Sequence, residues 1–284
     1  MGKSGTNVTE RIRAASVRLS PGERRVADVV ASDPEAVAFG TVASVAARAG
    51  TSGPTVLRLA TRLGFAGFVG LQAAVRDGLS QRLRPAVERI RGASPAPVLA
   101  RVLEVELANV RRTLEAVDAR AFAATVALLA DLRRDVFVLP SEQCRPVGTS
   151  FAVDLGLIRD GVRLIGGSEF RVVSQLARVR RGDVVLLVDL QRHERWIVAA
   201  SRRVAATGAR AVVLCDGPLS ALADGAQHVF TVAADAAGPF DSSVGIVALL
   251  NAFVAGVGDA LRSQAMRRLE RLEKTWVESG ALLD

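Results

Sequence analysis

Five short apolar runs in the second half of the chain limit its possible folds more than any other feature. They are DVFVL (135–139), GVRLI (161–165), DVVLLV (183–188), ARAVVL (209–214) and AQHVFTV (226–232). They are near-continuous rather than alternating, as strands buried on both faces are. Helical stretches separate most of them, near 145–158, 170–179, 194–207 and 217–224. This alternation predicts a three-layer α/β domain around a mostly parallel, five-stranded sheet. Ligands of such sheets bind beyond the carboxyl ends of the strands, here the loops 140–145, 189–194 and 215–220.

Residues 8–80 read instead as short helices with clear punctuation. SPGE (Ser20–Glu23) is a capping box with proline at the first helical position. Asp33-Pro34 opens another helix in the same way. Thr41 caps VASVAARA, where Val42, Val45, Ala46 and Ala49 share one apolar face, and Gly50 stops it in a left-handed position. Ser52 is expected to cap the next helix, with Pro54 in its first turn. Its apolar face is Val56, Leu59, Ala60 and Leu63, and Gly64 ends it. Two amphipathic helices joined by Gly50-Thr51-Ser52 predict a helix-turn-helix. The expected outward face of the second offers Gly53, Thr55, Arg58 and Arg62, residues suited to base edges and phosphates in a major groove. Spacing alone fits plain helix packing equally well. Charge tips the balance towards DNA: residues 1–92 hold 14 Lys+Arg against 7 Asp+Glu, whereas the remainder holds 23 against 22.

Between the halves, 81–97 reads as a linker that ends in the small, proline-rich GASPAP (92–97). A long helix, Val98–Val117, follows with Leu99, Val102, Leu103, Leu107, Val110 and Leu114 on one face. Two cysteines, Cys144 and Cys215, are too few for a zinc knuckle or a disulfide framework, and neither metal nor cofactor is expected. The apolar stretch Val244–Val257 is shorter than the ~20 residues a membrane span needs and reads as a buried helix. With no charged-then-apolar leader, the expectation is a soluble cytoplasmic protein with no membrane contact. Leu269, Leu272 and Trp276 give the tail Met266–Trp276 the pattern of a packing or dimer helix.

Leu19–Gln72 resembles the N-terminal helix-turn-helix of MurR/RpiR-type bacterial transcription regulators. The resemblance is carried by S-x-x-E-x-x-V-A, by A-x-x-A-G-T-S-x-x-T-V-x-R and by RLGFxGF (Arg62–Phe68), without gaps. The α/β half resembles the sugar isomerase (SIS) domain of the same family. The resemblance implies domains at 1–80 (DNA-binding), 81–97 (linker) and 98–284 (SIS). It also implies a double-stranded DNA operator, a phosphosugar effector, and a homodimer or homotetramer. Carried over by position, Ser52, Gly53, Pro54, Thr55, Arg58 and Arg62 would lie at the DNA.

The ligand loops depart from that pattern. Where the family has G-x-G-x-S, this chain has Pro140-Ser141-Glu142-Gln143-Cys144. Where it has S-x-S-G-x-T, this chain has Asp189-Leu190-Gln191-Arg192-His193-Glu194. Phosphate-binding hydroxyls and glycines are replaced at their matched places, so the effector is expected to be a sugar derivative or carboxylate rather than an ordinary phosphosugar. Three readings stay open. In a rebuilt site, Arg145, Arg192 and His193 hold an anion by side-chain charge, Ser141, Gln143 and Gln191 orient the ligand, and Ser242 and Ser243 contribute from a helix N-terminus. In a vestigial site, Asp189 and Glu194 pair with Arg192 and Arg195, and the domain only dimerises. A sugar-phosphate isomerase would need a phosphate anchor and a placed acid or base, for which His193 is a better candidate than His228. Cys144, beside Arg145, is the one candidate for a lowered thiol pKa.

Overall fold

The computed structural model describes residues 8–15, 18–82, 86–92, 95–190, 194–217, 220 and 222–281. The chain divides into two compact units, Met1–Glu88 and Arg89–Asp284. The first holds α1 (Val8–Ala15), α2 (Pro21–Ser32), α3 (Pro34–Phe39), α4 (Val42–Arg48), α5 (Gly53–Arg62) and α6 (Gly67–Arg82). A short helix, α7 (Ala86–Arg91), occupies part of the segment expected as a linker.

The punctuation of the first unit acts as its residue types require. Ser20 and Glu23 form the capping box of α2, Asp33 caps α3 and Thr41 caps α4. Gly50 and Gly64 take positive φ, +56° and +79°. Ser52 is the N-cap of α5 but makes no capping bond; its hydroxyl lies 3.1 Å from Thr55 Oγ1 instead. Val45, Ala46, Val56, Leu59 and Ala60 build the core at the α4–α5 crossing. Side chains from distant helices close the remaining helix ends. Arg25 donates to the Ala49 carbonyl at 3.1 Å, Arg11 to Leu63 at 3.0 Å, and Gln72 to Val37 and Gly40 at 3.0 and 2.8 Å.

Glu23 links two helices of this unit. It is buried, accepts from the Ser20 amide at 2.8 Å and receives Arg62 Nε at 3.0 Å, tying the start of α2 to the end of α5. Burial pushes its pKa up, but the Ser20 hydrogen bonds and the Arg62 charge outweigh burial and hold it below the ordinary carboxylate value. A depressed folded-state pKa contributes stability that is complete above the unfolded value, ~4.3, and is lost as pH falls through the folded one. Glu23→Gln is therefore expected to lower the stability of the unit by about 1–2 kcal/mol at neutral pH. Below about pH 4 that difference shrinks. Hydrogen exchange of the α2 and α5 amides at pH 7 and pH 4 measures both effects.

The second unit begins with α8 (Val98–Glu115) and α9 (Ala119–Ala130) and continues through β1 (Val136–Pro140), α10 (Arg145–Ile158), β2 (Val162–Leu164) and α11 (Glu169–Leu176). Then follow β3 (Val184–Val188), α12 (Arg195–Thr207), β4 (Arg210–Cys215), β5 (His228–Thr231), α13 (Val244–Ala260) and α14 (Arg262–Ser279). The strands form one sheet in the order β2-β1-β3-β4-β5, every pair parallel. Strand side chains alternate between two cores. Val136, Val138, Leu186 and Val212 face α9, α10 and α13, whereas Phe137, Leu139, Leu187 and Val213 face α11 and α12. This is the expected three-layer arrangement.

One expectation fails here. The stretch 217–224 is not a helix over its described residues; it crosses in turns, with Ser220 N bonding the Gly217 carbonyl and Ala223 N that of Ser220. The apolar face of α8 is solvent-facing, with Leu99 84%, Leu103 61% and Leu107 61% exposed. The fully buried residues of α8 are the polar Asn109 and Thr113. The Nε2 of His228 in β5 is buried without a hydrogen-bond partner. Among the described residues no single helix is long and apolar enough to cross a membrane. Ile246, Leu249, Leu250, Phe253 and Val257 bury α13 in the core, and α14 turns away from it by 102°. Arg268 on α14 closes the end of α10, donating to the Leu157 and Gly156 carbonyls at 3.1 and 3.0 Å.

Candidate functional site

The α5 surface and the carboxyl edge of the sheet are the two candidate sites. On α5, Ser52, Pro54 and Arg58 are exposed and Gly53 is half-buried, where a Cβ would lie 3.3 Å from Val42 Cγ1. Two residues of the expected outward face differ. Thr55 is buried, with its methyl towards Gly22 of α2 and its hydroxyl near Ser52. Arg62 points back to Glu23 and to the Arg18 carbonyl. The α2 N-terminus covers part of the face that helical spacing turns outward. What remains is a short relay: Thr55 Oγ1 accepts from Arg58 Nη2 at 2.9 Å and fixes the guanidinium near the start of α5. Such a fixed fork can meet a guanine edge or a phosphate.

At the sheet edge, strand order reverses direction between β1 and β3. In this topology the ligand crevice opens at that switch point. The two loops there are bridged by a carboxylate. Glu194 Oε1 accepts from the Glu142 backbone amide at 3.1 Å, and Glu194 Oε2 accepts from Trp196 Nε1 at 2.5 Å. The vestigial-site pairing of Glu194 with Arg192 lies outside the described residues. Arg145, the expected anion holder, is already neutralised: Glu142 takes its Nε at 2.8 Å and its Nη2 in a second, shorter contact. That ion pair holds the Glu142 pKa below the ordinary carboxylate value. The guanidinium lies against Gly166, where any Cβ would collide with it. Glu142, Gly166 and Trp196 were not among the sequence-derived site residues. Their signal is positional, since only the β1–β3 register brings residue 194 to residue 142.

Beneath this bridge the crevice floor is closed. Ser141 and Cys144 are buried, and Ser141 Oγ accepts from the Cys144 amide at 3.4 Å. Asp189 is buried at the end of β3, accepting from the Leu190 amide at 2.9 Å. Burial first, then the nearby Asp189 and Asp216 charges, push the Cys144 thiol up to about 11. Burial thus reverses the lowering that Arg145 would favour. Burial likewise pushes Cys215 up to about 12, so neither thiol is a nucleophile near neutral pH. Gln143 is exposed in the turn. Ser243 is the N-cap of α13 without a side-chain cap bond, while Ser242 donates to Glu106 on α8 at 2.5 Å. Gln191, Arg192 and His193 lie outside the described residues. Among the described residues no group of histidine, cysteine and carboxylate side chains could hold a metal ion.

Comparison with known proteins assigns each unit to a known domain type. Residues 6–82 match the model of the helix-turn-helix domain, rpiR family, and residues 146–256 match the SIS domain. The "Bifunctional protein glk" of Paraburkholderia xenovorans is 35% identical over 79 residues, 28% of this chain and 12% of that protein. Its counterpart in Burkholderia mallei is 34% identical over the same length. This chain therefore spans about an eighth of the curated relatives it matches. Among solved structures, the Vibrio vulnificus NanR protein complexed with ManNAc-6P matches over 96% of this chain and 98% of its own. That match has TM-score 0.58 at 18% identity, a likeness of fold. The sugar isomerase domain of an RpiR transcription factor from Sphaerobacter thermophilus is 25% identical with TM-score 0.56, over 62% of this chain and 98% of that one.

Proposed function

We infer that the chain is a regulator of the rpiR helix-turn-helix type with a SIS domain behind that unit, since residues 6–82 match the first model and residues 146–256 the second. From this premise we propose a cytoplasmic transcription regulator that binds a double-stranded DNA operator through the α5 surface at Ser52, Gly53, Pro54 and Arg58. Arg58 faces the DNA, and the Thr55 hydroxyl and the Glu23–Arg62 pair hold α5 in position. The second unit dimerises and senses a sugar derivative or small carboxylate rather than an ordinary phosphosugar. The oligomer is a homodimer, or a homotetramer assembled from such dimers.

The observation that carries the effector reading is the Glu194 carboxylate on the Glu142 amide. A phosphate bound at the β1–β3 crevice needs backbone amides and uncompensated positive charge. Here the amide already holds an internal anion, and Arg145 already holds another. A phosphate dianion would meet both carboxylates at close range, which is unfavourable. The same chemistry favours a regulator over a SIS isomerase, which would need that phosphate anchor.

Thermal unfolding of the full chain with N-acetylmannosamine 6-phosphate, the free sugar and small carboxylates tests this reading. Binding to the folded state raises the transition by about 2.7 kcal/mol at a hundredfold excess over Kd, a few degrees for a domain of this size. The wild type is expected to ignore the phosphate ester, and Glu194→Ala to gain a shift with it. Stabilisation of the wild type by the phosphate ester would sink the effector reading and leave the DNA-binding reading intact.

A further inference from the structure

The loop from Ala233 to Ser243 leaves the carboxyl end of β5, enters α13, and is gripped along its length by α7 and α8. Thr113 Oγ1 accepts from the Ala233 amide at 2.9 Å. The Asn109 side chain pairs with the Asp235 backbone in both directions, donating to its carbonyl at 2.9 Å and accepting from its amide at 3.0 Å. Arg101 reaches the Ala237 carbonyl at 3.0 Å, and Glu106 takes the Ser242 hydroxyl. The last grip is Arg89 on α7, whose Nη1 lies 2.6 Å from Asp241 Oδ1, with the two side chains only 16% and 15% exposed.

This grip accounts for the polar inner face of α8. Asn109 and Thr113 are buried because they replace the hydrogen bonds that a loop running beside a helix would otherwise lack. Close approach is enforced as well: a Cβ on Gly245 would lie 2.6 Å from Thr113 Oγ1 and 2.5 Å from the Ala233 carbonyl oxygen. The loop and α8 are therefore matched over several contacts, and the loop ends at Ser242 and Ser243, at the start of α13. The chain leading from the DNA-binding unit enters through α7.

We propose that this loop transmits effector state to the DNA-binding unit, and that the Arg89–Asp241 pair positions the tether through which it acts. A ligand seated at the carboxyl edge of the sheet that favours one loop position over another alters the hold on α7 by the difference in its affinity for the two. The inference rests on the proposed DNA-binding function for one of its two readouts only.

The test uses the full chain with Asp241→Asn and with the exchanged pair Arg89→Asp/Asp241→Arg. One readout is the rate of trypsin cleavage between residues 81 and 97. The other is affinity for a duplex selected in vitro with the wild-type protein. Asp241→Asn is expected to be cleaved faster and to bind that duplex on the order of tenfold more weakly, with oligomer mass unchanged. The exchanged pair is expected to recover DNA affinity. Should Asp241→Asn fail to fold, Arg89→Gln reports the same contact from the α7 side. Unchanged cleavage overturns the anchor; faster cleavage with wild-type DNA affinity, or an exchanged pair that does not recover, overturns the transmission. A wild type that selects no duplex defeats the DNA-binding reading, and cleavage still tests the anchor.

Discussion

Arg58→Ala is expected to weaken binding to a selected duplex by roughly 10- to 100-fold, the range of about 1–3 kcal/mol for a lost bidentate base contact. The effect should exceed that of any other single change on α5, because Arg58 is the residue of that helix whose guanidinium is both exposed and aimed. Its fork is held by the Thr55 hydroxyl at 2.9 Å, so little side-chain freedom remains to be lost on binding. Two companion variants separate charge from aim. Arg58→Lys keeps the charge but not the fork and should recover only part of the affinity. Thr55→Val keeps the guanidinium and removes its rest, and should fall between Arg58→Ala and the wild type. Fluorescence anisotropy at several salt concentrations reads all three. If Arg58 meets a phosphate instead of a base, its loss lowers the salt slope by about one and weakens all sequences alike. Wild-type affinity in Arg58→Ala would remove α5 from the interface.

The second large effect concerns assembly. Leu99, Leu103 and Leu107 stand exposed on α8, with Leu114 further along and Val244 and Val247 on the neighbouring α13. A stripe of this kind is too apolar to leave in water without reason. A second copy related by a two-fold axis brings the same stripe to both sides, which makes the surface self-complementary. Leu103→Asp combined with Leu107→Asp places four carboxylates in that interface, each opposed by several kcal/mol of desolvation. Dissociation to monomer at micromolar concentration is the expected outcome, measured by light scattering. The two side chains are exposed in the protomer, so the unit itself should remain folded, with an unchanged far-ultraviolet spectrum. Retention of the wild-type mass, or a wild type that is already monomeric, would show that α8 is not the interface.

These two surfaces also mark where the sequence could and could not be read. Helix ends in the first unit were legible because Ser20, Asp33, Thr41, Gly50 and Gly64 act on their own neighbourhood. The five strands were legible because burial on both faces leaves a continuous apolar run. Periodicity, however, reports that a helix has an apolar face, and not what covers that face. On α8 the protomer's own core lies against Asn109 and Thr113, leaving the leucines outside. The altered loops at 140–145 and 189–194 were visible as departures from the family pattern. Their internal pairing was not, since Glu194 and Glu142 are 52 positions apart and meet only across the β1–β3 register. Thr55 fails for a related reason: α2, far back in the chain, covers a position that local spacing turns outward.

The helix ends closed by distant arginines carry a consequence for how the protein assembles itself. Arg11 seals the end of α5 from 52 residues away, Arg25 that of α4 from 24, and Arg268 that of α10 from 112 and 111. Terminal carbonyls left open in an isolated helix fray, and short helices are marginal alone. None of these seals can form until the donor element has docked. Local helix formation and long-range docking are thereby made one event, so that a half-assembled unit retains few well-formed helices and the passage from unfolded to native is all-or-none within each unit.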